Sequence, residues 1–254
     1  QLTDPDYFSR DRHPVWSPDA GQIAFASNRD GDFEIFVMNV DGTNRRALTD
    51  NEGFRDWQPA WSPAGDRIAF ASNRDGDFEI FVMNVDGTEI RQLTNNDNSD
   101  TNPVWSVDGS RIAFAKHDQQ GSGAEIYVTD TYGANVYSTG ASGIPGSWGV
   151  DEKSGAATVV STTSTTVPVT TTTEAPLEEW LLVSVDGSIV AASPDRGEWR
   201  VLGNGFGAKW SPDGKVVAFT GDGDAVNLLY PSEESMRLLR PDARMQDWSP
   251  DGRF

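Results

Sequence analysis

Residues 23–43 read IAFASNRDGDFEIFVMNVDGT, and the same twenty-one letters return at residues 68–88, 45 positions further on. Self-similarity at this period marks a repeat architecture in which each unit is one supersecondary element. Each copy holds two apolar runs, IAFAS and EIFVMNV, separated by the turn-rich segment NRDGD. The second run closes on Val-Asp-Gly-Thr, and Asp-Gly is a strong hairpin signal because a two-residue turn wants positive φ at both positions. Each copy is therefore expected to form strand, hairpin, strand, hairpin, the middle of a small antiparallel sheet. Within residues 34–40, Ile35 and Val37 point to one face while Phe36, Met38 and Val40 point to the other. Both faces are apolar, so the sheet needs cover on both sides, as when blades stack. Ala24 and Ala26 leave room on their face for a bulky neighbour such as a tryptophan.

Outward from this stretch, each copy is preceded by a short strand ending in tryptophan and a turn: Pro14-Val15-Trp16-Ser17-Pro18-Asp19 and Pro59-Ala60-Trp61-Ser62-Pro63. The pattern recurs at Trp105, Trp210 and Trp248, with a decayed version at Trp148, at intervals of 45, 44, 43, 62 and 38 residues. Four strands in about 40–45 residues is the spacing of propeller blades. The expected fold is an all-β propeller of four-stranded antiparallel blades at about 14–50, 59–95, 103–140, 145–203 and 208–240. A sixth, closing blade is expected to be incomplete, split between residues 1–4 and 246–254, with the chain part of a longer protein. The long interval before Trp210 is assigned to an insertion at 150–178 between the first and second strands of the fourth blade. It contains the Thr/Pro-biased run TTSTTVPVTTTTEAP, read as an exposed loop or stalk. The other strands of that blade fall at 180–185, 188–193 and 199–202; a register with 156–161 as its second strand fits the downstream spacing less well.

The 254 residues are 37% hydrophobic and 10% aromatic, too rich in packing residues for a disordered chain. A formal net charge of −19 argues against nucleic acid or an anionic membrane as partner and suits a basic protein or peptide. With no cysteine there is no disulfide framework and no thiolate nucleophile or metal site. No apolar run is long enough to span a bilayer as a helix. The chain begins with Gln1, and the expectation is a processed protein or a fragment.

The composite motif, Pro14/Trp16/Pro18/Asp19, residues 23–40 with Asp41-Gly42, and Leu48-Thr49, together with its second copy from Pro59 to Thr94, resembles the repeat of TolB-type β-propellers. Ala64 in place of Asp and Val107 in place of Pro depart from it and weaken individual turns. The resemblance implies a six-bladed, exported bacterial propeller acting as a protein-interaction scaffold outside the cytoplasm. Related propellers also gate prolyl-oligopeptidase-type serine peptidases, and others are pectin-degrading lyases. The gate of a larger enzyme, or a surface or filament component, is therefore the alternative reading.

In a four-stranded blade the first and third turns share one face of the disc. The second hairpins, including NRDGD, share the other with the connections between blades. Those connections run into the innermost strands, and functional residues gather on loops held by a rigid scaffold. His13, Asp11, Arg55, Asp56, Gln58, Asp97, Asp100 and Asn102 are the candidate partner-binding residues, with His13, Gln58 and Asn102 at the mouth of the central channel. No cofactor is expected, with calcium as an open alternative: Asn28, Asp30, Asp32 and Glu34, like Asn73, Asp75, Asp77 and Glu79, offer alternate oxygens on a tight turn. Asn, Asp and Gly are also what such a hairpin favours, and the spacing is not a calcium-loop signature. No catalytic constellation is nominated. Gly140-Ala141-Ser142-Gly143 fails the nucleophile-elbow pattern, and His13 and His117, the latter assigned to a solvated hairpin, form no cluster.

Overall fold

In the computed structural model the described residues are 10–120, 123–151, 178–185, 187–193, 198–211, 216–221, 225–230, 235–240 and 248. They form five four-stranded antiparallel sheets, each a meander in chain order. The first is β1 (Asp11–Trp16), β2 (Gln22–Ser27), β3 (Glu34–Asn39) and β4 (Arg46–Ala47). The second is β5 (Asp56–Trp61), β6 (Arg67–Ser72), β7 (Glu79–Asn84) and β8 (Arg91–Gln92). The third is β9 (Asp100–Trp105), β10 (Arg111–His117), β11 (Ala124–Asp130) and β12 (Tyr137–Ser142). The fourth is β13 (Ile144–Asp151), β14 (Glu178–Val185), β15 (Ser188–Ser193) and β16 (Glu198–Asn204). The fifth is β17 (Phe206–Trp210), β18 (Val217–Thr220), β19 (Val226–Tyr230) and β20 (Ser235–Arg240). The innermost strands β1, β5, β9, β13 and β17 adjoin one another in that order. In the fourth blade β13 pairs directly with β14; the Thr/Pro run lies outside the described residues, as do residues 1–4 and all of 246–254 except Trp248.

The period-2 pattern sets the packing. Ile23 and Phe25 pair with Met38 and Phe36 and share one face of the first blade. Ala24, Ala26, Ile35 and Val37 form the other, and against them pack Ile68, Phe70, Phe81 and Met83 of the second blade with Trp61. The small face of one blade thus receives the bulky face of the next, and the same relation joins the second blade to the third through Ala69, Ala71, Trp105, Ile112 and Phe114. Each bulky side chain buried this way contributes roughly 1.5–3 kcal/mol.

The tryptophans also carry a directional bond. The Trp61 indole donates to the Val15 carbonyl (3.3 Å), Trp105 to Ala60 (3.0 Å) and Trp248 to Lys209 (3.1 Å). In each case the acceptor sits one residue before the preceding blade's own tryptophan. Trp248, packed on Ala218, therefore occupies the place of a sixth blade's first-strand tryptophan.

The turns differ from expectation in two places. In the Val-Asp-Gly-Thr turns only Gly42 and Gly87 take positive φ, while Asp41 and Asp86 accept bonds from Thr43 and Thr88. The third-blade counterpart, Gly133, also has positive φ, and a Cβ there would lie 2.5 Å from the Leu93 carbonyl oxygen of the blade before. The loss of Asp at Ala64 is made good by Asp66, which accepts the Ser62 hydroxyl at 2.8 Å as Asp19 accepts that of Ser17.

Candidate functional site

Three innermost strands break at the same register. His13, Gln58 and Asn102 each take left-handed φ (51°, 54° and 54°), and the pairing with β2, β6 and β10 slips at that point. Each is followed by proline, which disfavours right-handed helical angles for the residue before it. A left-handed non-glycine residue costs about 1–2 kcal/mol, and a bulge of this kind re-aims a side chain. In the fifth blade the equivalent position is Gly207, also at positive φ (64°); in the fourth it is Pro145, which cannot adopt it.

The strained positions hold one another across blades. Gln58 Nε2 donates to Asn102 Oδ1 at 2.9 Å, and the Asn102 backbone N–H donates to Gln58 Oε1 at 3.0 Å. Asn102 Nδ2 donates to the Thr101 hydroxyl (3.0 Å). The His13 ring lies 5.1 Å from Trp57, whose own ring is 4.7 Å from Phe33. Partial loss of hydration, followed by the positive charges of Arg12 and Lys209, lowers the His13 pKa below its ordinary value. Lys209 belongs to β17, so its field reaches His13 on the first blade's innermost strand.

The second hairpins and the interblade connections meet on one face. Asn28 Oδ1 accepts from the Arg10 backbone N–H (2.6 Å), Asn73 Oδ1 from that of Arg55 (2.7 Å), and Asp32 Oδ2 from that of Gly53 (2.5 Å). Asp75 Oδ2 accepts from Gln92 Nε2. Four of the side chains considered for calcium, Asn28, Asp32, Asn73 and Asp75, thus tether loops. Among the described residues Asp77 Oδ2 is buried without a hydrogen-bond partner, and no group of three or more His, Asp or Glu side chains is disposed to hold a metal ion. Arg55 and Asp97 stand exposed on the connections.

Asp56 and Asp100 are a correction, whereas Asp11 keeps part of its side chain exposed. Each opens an innermost strand, but Asp56 and Asp100 are 0% exposed and their carboxylates turn into the blade junction. Asp11 pairs with Arg29 at 2.8 Å, and Asp56 with Arg74 at 3.0 Å. Arg74 also lies over the Phe70 and Phe81 rings. In the third blade Lys116, two positions earlier in the strand pattern, supplies the cation whose charge acts on Asp100. His117 is likewise held, with Nε2 2.8 Å from the Thr101 hydroxyl, rather than solvated on a hairpin.

What the sequence reading missed is the role of Glu34 and Glu79. Each is a buried acid opening an otherwise apolar strand. Glu34 accepts from the Thr49 hydroxyl, the Asn51 backbone N–H and Asn51 Nδ2, and Asn51 Nδ2 also donates to Asp56 Oδ2 at 2.8 Å. Glu79, Thr94, Asn96 and Asp100 repeat the arrangement one blade on. Burial, only partly offset by the Thr49 and Asn51 bonds and reinforced by the Asp56 charge, pushes the Glu34 pKa up to about 7. The same causes, with Asp100 as neighbour, push Glu79 up to about 8. At each junction a glutamate with its pKa raised to near neutrality and a buried aspartate are bridged by one asparagine, clasping the connection that carries Arg55 or Asp97. The signal was the lone Glu in EIFVMN, aligned with Leu-Thr-x-Asn at a fixed distance downstream.

The chain matches no curated protein, but it resembles solved structures. TolB from Acinetobacter baumannii is 18% identical over 93% of this chain and 55% of its own, with a TM-score of 0.65. A TolB structure from Agrobacterium tumefaciens is 29% identical over 51% of this chain and 48% of its own, at 0.46. The chain thus spans about half the length of the TolB structures it matches. An oligogalacturonate lyase in complex with manganese shares the fold at 13% identity, over 94% of this chain and 68% of its own, with a TM-score of 0.61. Since the family model described as the TolB beta propeller domain matches residues 14–250, the chain belongs to that family.

Proposed function

We propose that this propeller is a non-catalytic scaffold outside the cytoplasm that binds a protein or peptide on the face carrying the second hairpins and interblade connections. The observation that carries the reading is the run of polar side chains, His13, Gln58 and Asn102, in left-handed conformation on three adjacent innermost strands. Strain repeated at one register is retained where the surroundings over-determine it, and such positions cluster at ligand clamps. Arg55 and Asp97, on the clasped connections, form the outer part of the same surface. Membership of the TolB family supports the protein-binding role and the location. The net charge of −19 favours a basic partner, whose association should weaken as salt rises.

The test is site-specific photo-crosslinking in envelope fractions, with the crosslinker at Arg55 or Asp97 and, as control, at Asp41 or Asp86 on the opposite face. A discrete adduct from the first pair, lost on replacing His13, Gln58 and Asn102 with alanine, is the expected result. Adducts only from the second pair would place recognition elsewhere.

A further inference from the structure

On the other face, between the outer strands of the second and third blades, lies a groove of about 500 Å³ whose lining includes Arg67, Glu89, Ile90, Arg91 and Tyr132. Tyr132 is 71% exposed and Ile90 39%. Two guanidinium groups are fixed beside them by aromatic rings: Arg91 lies 4.9 Å over Tyr132, and Arg67 lies 5.1 Å over Trp105. Arg91 Nη2 donates to the Thr131 carbonyl at 2.6 Å, one of the five N–H donors a guanidinium carries.

The junction between the first and second blades is an internal control, because the duplicated strands that line both grooves are identical. At that junction the matching residues are Gln22, Asn44, Arg45, Arg46 and Asp86. Only the arginine is shared. Gln22 gives way to Arg67, Arg45 to Ile90, and Asp86 to Tyr132. The turn tolerates the last change because its cap moves: Asp130 Oδ1 accepts from the Tyr132 and Ala134 backbone N–H groups, where Asp86 had served Thr88. The differences thus replace a polar rim with an exposed aromatic and an exposed aliphatic, and move one of the two guanidiniums from the Arg45 position to Arg67. Tyr and Arg are the residues over-represented at binding hot spots, and contiguous exposed apolar surface with a polar rim marks interaction sites.

We propose that this groove docks an extended peptide segment bearing a bulky apolar side chain next to an Asp or Glu. The apolar side chain would lie against Ile90 and Tyr132, and the carboxylate would take the remaining donors of Arg67 and Arg91, a charge-assisted geometry suited to guanidinium. The lining carries two cations and the acid Glu89, and Asp66 lies 3.8 Å from Arg67 Nε. Among the described residues Arg91 is thus the guanidinium with no acid in ion-pair reach, and the docked carboxylate would compete with Asp66 for Arg67. The aliphatic flank favours a peptide over a hydroxyl-rich sugar.

The experiment uses the full chain and the probe acetyl-Ala-Phe-Glu-Ala-Phe-Glu-amide, followed by isothermal titration and by amide and side-chain chemical shifts. The comparison variant is Arg67→Gln/Ile90→Arg/Tyr132→Asp, which installs the residues the neighbouring junction already carries on identical strands. Unchanged melting temperature and spectrum away from the groove would confirm that it folds. Saturable binding with shifts at Ile90, Arg91 and Tyr132, weakened at least tenfold in the variant and by the Glu→Gln form of the probe, is the expected result. Absence of saturable binding, binding indifferent to the variant, or selective binding of an oligo-uronate in place of the peptide would each overturn the proposal. Because the groove lies opposite the connection face, its failure leaves the proposed function untouched.

Discussion

Replacing Glu34 and Glu79 by glutamine should remove a pH dependence of stability that the wild-type protein shows between pH 6 and 9. The folded-state pKa values, about 7 for Glu34 and about 8 for Glu79, lie above the ordinary value of 4.5. The folded chain therefore binds more protons than the unfolded one across this range, and stability falls as pH rises. The contribution is fully present below the ordinary carboxyl range and is gone once pH exceeds the folded pKa. Each pH step of one between those limits is worth about 1.4 kcal/mol per carboxyl. From pH 6 upward Glu34 has about one such step left to lose and Glu79 about two, giving an upper bound of roughly 4 kcal/mol. Exposed carboxylates have already titrated by pH 6, so they add little slope. The assay is urea unfolding followed by tryptophan fluorescence at half-unit pH steps, on the wild type and the double variant. The glutamines mimic the protonated acids, so the variant's midpoint should be nearly flat above pH 6. A wild-type midpoint that is flat over the same range, or a variant slope equal to that of the wild type, would refute the raised Glu34 and Glu79 pKa values.

Other expectations follow from single contacts. Trp105→Phe should lose about 1 kcal/mol with its bond to Ala60, and Trp105→Ala about 3–5 kcal/mol, both read by urea titration. Ala20 sits at φ 60° where the matching residues are Gly65 and Gly109, so Ala20→Gly should stabilise by up to about 1 kcal/mol and raise the melting temperature. Gly133→Ala should cost roughly 2 kcal/mol or more, since its Cβ would press on the Leu93 carbonyl at positive φ. Arg74→Ala strands the buried Asp56 carboxylate and should cost about 3–5 kcal/mol by the same unfolding assay.

Strand pattern was legible because it is local. The alternation around Ile35 to Val40 assigned each side chain to a face, and the faces are those that pack in the structure. His13, Gln58 and Asn102 were expected at the channel mouth from the connections that lead into them, and their left-handed backbone was not legible. Asp56 and Asp100 were read as partner-binding because they lie on polar connections. They are joined through Asn51 and Asn96 to Glu34 and Glu79, more than twenty residues upstream on another blade, and no local pattern reports that distance. The Asp66 replacement for Ala64 was equally invisible, since a one-position motif loss says nothing of a neighbour able to reach the same serine.

The indole bonds give the molecule a polarity like that of a head-to-tail polymer. At three junctions one blade offers a carbonyl to the next blade's indole, while the Trp148 and Trp210 indoles find no acceptor among the described residues. A junction of this kind is heterologous and can be copied without redesign. A gene segment encoding 45 residues, duplicated in register, inserts a unit whose two sides already fit its neighbours, which accounts for two adjacent units sharing a twenty-one-residue stretch letter for letter. Such a chemistry fixes the order and orientation of units but leaves their number to the small rotation accumulated at each junction.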